Sequence, residues 1–478
     1  MTDAAPVPST PAHAGEPTTS WQEPRRWWIT PLLLFLIGFC CLAALSGKRI
    51  LQPSADNHFV YLADSYLHGT TEMRVPPPHG NDWATVTILK LQSGAEYRGY
   101  WWDRGEREFF ATTGEFYRFD ADELRGMRTE KEVYVSFPPG PAVLMLPAVA
   151  IFGMDFNDVL FTVFFGALNI ALFYLVLRML RRTGRSGLNE TDSIWMTALF
   201  GLGTAHGWCT VFGTVWFTAL VVGVTFTLLY VLWATDAKRP FLAGLALGCA
   251  FACRTPLLFS VVYFAIFFLF PGGRLRRDWG VAFWRDGLLF GSAPLVIGLL
   301  LMWQNHVRFD DSGEFGHVYL AEGQIDRIKH YGLFNVHFVS RNLTALFALV
   351  PKFMPTEPFV QISQHGLAIW FTTPALLWFF WATYRNTLHD RINQLAHLGA
   401  MASIAVPHIF YQNTGWVQFG YRFSMDYLVY LTVLLALGRD RIGWMFRLAI
   451  IVGILINAFG AVTFGQMNQF YAPWILEE

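Results

Sequence analysis

Long apolar runs separated by short polar connections dominate the chain from Trp27 onwards. Runs near the ~20 residues that a helix needs to cross a bilayer predict membrane-spanning helices. We predict about eleven of them, at 27–46, 157–180, 191–208, 213–234, 240–253, 256–271, 284–303, 366–384, 393–411, 421–437 and 443–464. The pattern therefore indicates an all-α polytopic membrane protein.

Basic residues orient these helices, because Lys and Arg are enriched in the cytoplasmic loops of membrane proteins. Clusters of them fill the connections between alternate spans, beginning at Arg178, Lys238, Arg274, Arg385 and Arg439. All these connections fall on one side of the membrane. We therefore predict that this side is cytoplasmic and that the amino terminus lies there too.

One apolar segment, "FPPGPAVLMLPAVAIFG" at 137–153, does not fit this alternation. As a full crossing, it would move every basic connection to the outside. Its prolines and short length favour a re-entrant or interfacial helix instead, which must lie against protein or a cavity wherever its backbone is irregular.

The remaining polar stretches divide the chain into parts. Residues 1–26 are rich in Pro, Thr and Ala, which is typical of a disordered tail, here cytoplasmic. Residues 137–464 form the membrane domain, with an outer loop at 304–365, and 465–478 form an extracytoplasmic tail. The insertion at 47–136 is also extracytoplasmic, and either a lid over a site or a simple cap on the membrane core fits it.

Within that insertion, "ATVTILKLQSGAEYRGYWW", "REFFATT" and "GEFYRF" are apolar or alternating runs broken at turn-forming residues. This pattern predicts a small β-meander, followed by a short helix at "DADELRGM". We therefore expect a small β-containing subdomain outside an otherwise helical protein.

Composition excludes some partners and leaves others open. The net charge is +0 and the charged fraction 15%, so no basic excess favours nucleic-acid binding. The five cysteines lie in or beside apolar runs and suggest packing residues rather than disulfides. The histidines of the outer loop, among them His317, match no zinc-binding spacing, so the sequence supports no particular cofactor and leaves a divalent metal open without evidence for it.

Two aspartates follow the first span. Asp56, in "SADNHFVYLADSYLHG", begins the polar insertion, where a carboxylate is either a solvated boundary charge or a proton acceptor. Asp64 lies eight residues further on and roughly on the same side of a helical stretch, so it is a candidate to hold an acceptor or an arginine.

Ionisable residues near membrane depth are costly and therefore informative. Arg254, at an outward turn, is a candidate to bind an anionic head group, although snorkelling to the interface explains it equally well. Arg422 and Asp426 are four residues apart, so they either pair with each other or act together, with Arg422 binding phosphate and Asp426 orienting it. His206 is a candidate substrate contact, but a structural role is favoured.

The order of these motifs resembles the GT-C superfamily of membrane glycosyltransferases. "ADNHFVYLADSYLHG" after the first span, the polar insertion, "YVSFPPGPAVLMLPAVAIFG", "FLAGLALGCAFACRTP" and "GWVQFGYRFSMDYLVYL" are similar to the branch that contains protein O-mannosyltransferases and lipid A aminoarabinose transferases. Asp56 matches the family's acidic residue and Pro138-Pro139 its Pro-Pro pair. Asn57 stands where a second acidic residue is common.

The resemblance implies transfer of a sugar from a polyprenyl-phosphate donor in the lipid bilayer to an unknown hydroxyl acceptor, with inversion, at the outer face of a bacterial inner membrane. Asp56 would be the general base, and Arg254 and Arg422 would stabilise the leaving phosphate. The competing interpretation is a non-enzymatic membrane protein, either a lipid or sugar transporter or a structural subunit. No internal repeat favours a transporter.

Overall fold

The computed structural model describes residues 26–79, 82–320 and 325–472, and the chain is 61% helical. The predicted tail at 1–26, apart from Arg26, lies outside the described residues, as do 473–478. The α-helices are α1 Ile29–Ser46, α2 His58–Leu67, α3 Gly140–Phe152, α4 Asp158–Arg182, α5 Glu190–Leu202, α6 Ala205–Cys209, α7 Val215–Ala234, α8 Pro240–Cys253, α9 Val261–Leu269, α10 Val281–Phe309, α11 Ile325–Tyr331, α12 Val339–Phe347, α13 Ile369–Thr372, α14 Leu388–Phe410, α15 Leu428–Leu437 and α16 Trp444–Thr463. The strands are β1 Trp83–Lys90, β2 Glu96–Asp103, β3 Glu108–Ala111, β4 Phe116–Arg118, β5 Arg128–Val135, β6 Lys352–Phe353, β7 Val360–Ser363 and β8 Tyr471–Ala472.

Five of the described helices are long and apolar enough to cross a membrane: α1, α4, α7, α10 and α16. The chain is therefore a helical membrane protein, as the sequence predicts. The predicted number of about eleven spans is not confirmed, because several predicted spans correspond to shorter elements.

Two of the shorter elements show why apolar run length overestimates helix length. The run at 191–208 is divided into α5 and α6 at Gly203 and Thr204, where the Thr204 hydroxyl accepts a hydrogen bond from the backbone N–H of His206. The run at 366–384 contains α13 and then a 3-10 helix that begins at Pro374. Proline and capping side chains thus end helices inside apolar stretches.

The predicted non-spanning segment at 137–153 forms α3, with Pro147 inside the helix. At about 1.5 Å per residue its 13 residues are shorter than a hydrocarbon core of about 30 Å. Met145 and Val149 are buried, and they pack in a cluster with Phe59 and Leu62 of α2. This length agrees with a re-entrant or interfacial helix.

The insertion at 47–136 contains the predicted meander. Strands β1 to β4 are antiparallel neighbours in chain order, and β5 returns to pair with β1 along its full length, from Trp83 opposite Val135 to Lys90 opposite Arg128. The predicted short helix at 120–127 is wrong: turns occupy this stretch, and Gly126 lies at a φ of +68°, which is incompatible with a continuing helix.

The sheet is joined to the carboxy-terminal end of α10 by Arg98 of β2. Its guanidinium donates to Glu132 Oε2 at 2.7 Å, to Asp310 Oδ2 at 2.7 Å and to the Arg308 carbonyl O at 2.6 Å. Helix α10 is itself thinly covered, since only 6% of its most apolar stretch is buried. It packs closely on α8 at Gly244, where an added Cβ would lie 2.0 Å from the Phe290 carbonyl O.

Candidate functional site

The first turn of the spanning helix α7 holds two aspartates of the polar insertion at 47–136. The backbone N–H of Val215 donates to the carbonyl O of Asp56 at 3.0 Å. The next residue, Trp216, donates its indole N–H to Oδ2 of Asp82 at 2.7 Å. Consecutive residues of α7 therefore place Asp56 and Asp82 at the same helix end.

A buried arginine lies at the same turn. Arg422 is 6% exposed, and its Cζ lies 5.5 Å from the ring centre of Phe217, the third residue of α7. Its backbone N–H donates to Oε1 of Gln418, whereas its guanidinium makes only a long 3.5 Å contact with the Val417 carbonyl O. Arg422 forms no ion pair in the part of the chain that the structure describes.

Asp82 is the acidic group that acts on Arg422. Burial raises the pKa of the Asp82 carboxyl, while the Trp216 hydrogen bond and the positive charge of Arg422 act in the opposite direction. The Asp82 backbone has a positive φ of 54°, which is uncommon for a residue other than glycine. Asp82 is not predicted as a site residue from the sequence. Its position directly before β1 is the feature that could have indicated it.

Asp56 itself is partly exposed and contacts a histidine. Nε2 of His79 lies 3.3 Å from Oδ1 of Asp56 and 2.9 Å from the carbonyl O of Ala55. The side chain of Asp56 keeps 17% of its surface accessible. A carboxylate in this setting can still reach an incoming hydroxyl group. We name Asp56, Asp82, Trp216, Phe217 and Arg422 the α7 cluster.

The partly buried Arg254 and the buried Asp426 form an ion pair beside this cluster. Arg254 donates from Nε at 3.1 Å and from Nη2 at 2.7 Å to the two carboxylate oxygens of Asp426, and His408 Nε2 lies 2.9 Å from Asp426 Oδ2. Of the two alternatives for Arg422 and Asp426, the one in which they pair with each other is therefore wrong. A 3-10 turn at Arg422–Asp426 replaces the helix on which that expectation rested.

Phe423 lies close to both arginines. The Cζ atoms of Arg254 and Arg422 lie 5.6 and 5.7 Å from the centre of its ring, within the range of cation–π attraction. Asp426 neutralises the charge of Arg254, but no described carboxylate contacts Arg422. The region therefore presents an excess positive charge at Arg422, partly balanced at longer range by Asp82.

Two predicted site residues have protein partners elsewhere. Asp64 accepts a hydrogen bond from Arg74 at 3.2 Å and lies 3.5 Å from His68, so it holds an arginine, one of its two expected roles. His206 is fully buried, with Nδ1 3.0 Å from the Gly201 carbonyl O and Nε2 3.3 Å from Asn169. These contacts are those of a structural histidine.

Metal binding finds no support in this arrangement. Among the described residues, no group of three or more His, Cys, Asp or Glu side chains is placed to hold a metal ion. The arginine side chains around the α7 cluster do not ligate metals. The carboxylates of Asp82 and Asp56 contact different residues, Trp216 and His79 respectively. We therefore derive no metal-dependent step.

Comparisons with known proteins add no further constraint. No protein family model, curated protein or solved structure matches this chain. Membership of the GT-C superfamily thus stays a prediction from the sequence motifs, and the function has to be argued from the α7 cluster.

Proposed function

We propose that this protein is a GT-C-type glycosyltransferase that acts at the extracytoplasmic face of a bacterial inner membrane, within a bundle of about eleven spans. It would transfer a sugar, with inversion, from a polyprenyl-phosphate donor to a hydroxyl acceptor. The observation that carries the proposal is the buried guanidinium of Arg422, which forms no ion pair with any described residue and lies at the helix end that also holds Asp56.

A buried arginine without a carboxylate is costly unless an anion completes its environment. The planar fork of Arg422 suits a phosphate, because two of its N–H groups can bind two phosphate oxygens at once. The amino-terminal end of α7 favours negative charge in the same place. These features favour a phosphate on the donor and charge stabilisation of the departing lipid phosphate.

Asp56 is the proposed general base. A hydroxyl is a weak nucleophile at neutral pH, so a carboxylate that takes its proton while the new C–O bond forms accelerates transfer by roughly 10²–10⁴. The acceptor oxygen would attack the anomeric carbon from the side opposite the phosphate, and this single displacement inverts that centre. The partial exposure of Asp56 leaves access for the acceptor.

Arg254, which the sequence suggests as a second phosphate ligand, has a different proposed role. Its two hydrogen bonds to Asp426 and the His408 contact fix the turn that carries Arg422. We therefore assign Arg254, Asp426 and His408 to positioning Arg422, and not to direct contact with the donor.

The experiment that tests the proposal compares two lipids that differ only in the phosphate. Protein in nanodiscs is titrated with a polyprenyl phosphate and with the matching polyprenol. We expect the phosphate to bind at least tenfold more tightly, and we expect Arg422→Gln to remove the difference. Equal binding of the two lipids by the parent protein contradicts the proposal. Selective phosphate binding without sugar transfer to any offered alcohol acceptor favours a lipid transporter.

A further inference from the structure

A short hairpin in the outer loop exposes large apolar side chains. Strands β6 and β7 pair with Lys352 opposite Gln361 and Phe353 opposite Val360. The side chains of Phe353 and Phe359 are 78% and 56% exposed. Aromatic rings this exposed are unexpected if water surrounds the hairpin.

The hairpin is tied to the end of a spanning helix. Strand β7 pairs in parallel with β8, with Ile362 opposite Tyr471. The Tyr471 hydroxyl lies 2.8 Å from Oγ1 of Thr463, the last residue of α16. Since α16 is long and apolar enough to cross the bilayer, the hairpin lies where the hydrocarbon core ends.

Helix α12 extends the same apolar surface. Asn342, Ala345 and Leu346 are buried, while Phe347 on the other side of the helix is exposed. The Trp370 indole N–H donates to the Phe347 carbonyl O at 2.8 Å. A helix with one buried face and one exposed apolar face, accompanied by a Trp, is typical of the membrane–water interface.

We propose that the hairpin Lys352–Ser363 and α12 lie in the head-group region of the outer leaflet and form a lipid-seated rim beside the α7 cluster. The position at the end of α16 favours lipid over a protein partner, because the exposed rings continue the apolar surface of a spanning helix. The depth is limited to the interface, since the outer edge of a two-residue strand carries backbone groups that hydrocarbon would leave unpaired.

The rim is connected to Arg422 through the backbone. After β7 ends, the Gln418 N–H donates to the Gln364 carbonyl O at 3.0 Å, and Leu367 exchanges hydrogen bonds with Phe419 and Tyr421. Arg422 follows directly. A lipid-linked donor lying against the rim would thus have its phosphate next to Arg422; this part of the inference rests on the proposed function, whereas the seating in lipid does not.

The test measures lipid contact directly. A single NBD fluorophore is attached at Phe353→Cys in full-length protein reconstituted into nanodiscs, and the signal of the labelled parent, which has five native cysteines, is subtracted. Ser93→Cys, in an exposed turn of the sheet, is the aqueous control, and Leu455→Cys, exposed within α16, is the membrane control. Quenching is read with aqueous iodide and with nitroxide lipids labelled near the head group.

We expect the probe at Phe353 to be quenched severalfold more by the nitroxide lipid, and severalfold less by iodide, than the probe at Ser93. Iodide quenching equal to that at Ser93 would overturn the proposal. Protection from iodide without quenching by nitroxide lipid would also overturn it, since a protein partner would then cover the hairpin. If Phe353→Cys lowers thermal stability, the measurement is repeated with Met354→Cys. Quenching by iodide and quenching by nitroxide lipid do not depend on sugar transfer, so the result is independent of the proposed function.

Discussion

Trp216 donates its indole N–H to Oδ2 of Asp82, and this hydrogen bond joins a spanning helix to a carboxylate of the polar insertion at 47–136. Because Trp216 lies between Val215, which holds Asp56, and Phe217, which contacts Arg422, the three groups share one helix turn. Helix α7 thus sets the spacing of Asp56, Asp82 and Arg422, the last of which forms no ion pair with any described residue.

Asp56→Asn should abolish transfer while expression, thermal stability and donor binding persist. Asparagine keeps the shape of the side chain but cannot accept the proton of the acceptor, so the loss should be roughly 10²–10⁴ in rate. Sugar transfer and lipid binding are measured on the same nanodisc preparation. Asp122→Asn, an exposed carboxylate of the insertion, is the control. Transfer within a few-fold of the parent would show that Asp56 is only a boundary charge.

Arg422→Lys should weaken binding of polyprenyl phosphate about 10- to 100-fold, because it keeps the charge but loses the two-pronged contact, worth on the order of 1.5–3 kcal/mol. Titration of the lipid into nanodisc-embedded protein measures the change. Arg285 is an exposed arginine near the amino-terminal end of α10. The control variant Arg285→Lys should bind polyprenyl phosphate as the parent does. Unchanged affinity in Arg422→Lys would reject the phosphate role.

Replacing the neighbouring carboxylate of Asp82 should change the affinity for the phosphate lipid in the opposite direction. Asp82→Asn removes the negative charge that acts on Arg422, so binding of the phosphate lipid should become tighter by a few-fold, more clearly at low salt. Weaker binding in Asp82→Asn would mean that Asp82 contributes to the donor site in some way other than by its charge.

Asp426→Asn should lower the free energy of unfolding by about 3–5 kcal/mol, because it leaves the buried Arg254 guanidinium without its counter-charge. Removing both charges, in Arg254→Met with Asp426→Leu, should restore much of this loss. Thermal unfolding without added lipid compares the parent, the single variant and the double variant. Equal destabilisation in the single and double variants would show that the pair is not a coupled unit.

Stability should fall as the pH drops towards 5, in part because of His317. Burial lowers the pKa of His317 from 6.5 to about 4, and Arg254 acts in the same direction. Since the unfolded chain binds this proton near pH 6.5 and the folded chain does not, the contribution is present above pH 6.5 and is lost as the pH falls to about 4. When the pH falls from 7 to 5, the free energy of unfolding should decrease for both proteins. The decrease should be up to about 2 kcal/mol smaller for His317→Gln than for the parent. An identical pH profile would contradict this assignment.

The orientation is tested by thiol labelling in intact cells. An impermeant reagent should modify Ser93→Cys and spare Thr183→Cys, which is exposed in the basic connection after α4. Thr183 suits this labelling because it is exposed, whereas Ser186 in the same connection is buried and would not react from either side. The reverse labelling pattern would place Asp56 on the cytoplasmic side and exclude extracytoplasmic transfer.

Local pattern was sufficient for strands β1 to β4 and for the long apolar helices, but it did not predict β5, which pairs with β1. Alternating side chains predict β1 to β4, because the side-chain period of a strand is visible over a few residues. The turn at 120–127 was mistaken for a helix because its acidic start resembles a helix beginning, whereas Gly126 at positive φ ends it. Apolar runs likewise predict α4, α7 and α16 but not the breaks at Thr204 and Pro374.

The candidate site depends on contacts that no local pattern contains. Arg254 and Asp426 are 172 positions apart, and the nearer Arg422 is the more obvious partner for Asp426. Only the packing of α8, α14 and the turn before α15 decides which arginine is neutralised and which is left for a ligand. Asp82 was missed for the same reason, since its partner Trp216 is 134 positions away.

The hydrogen bonds of Arg98 to Glu132, Asp310 and Arg308 have a mechanical consequence. Helix α10 is mostly uncovered by protein, so the surrounding bilayer has a large share in setting its tilt, and its outer end is clamped to β2. A thicker or thinner membrane changes the preferred tilt of such a helix. We therefore expect a change in bilayer thickness that alters the tilt of α10 to be transmitted through Arg98 to the sheet.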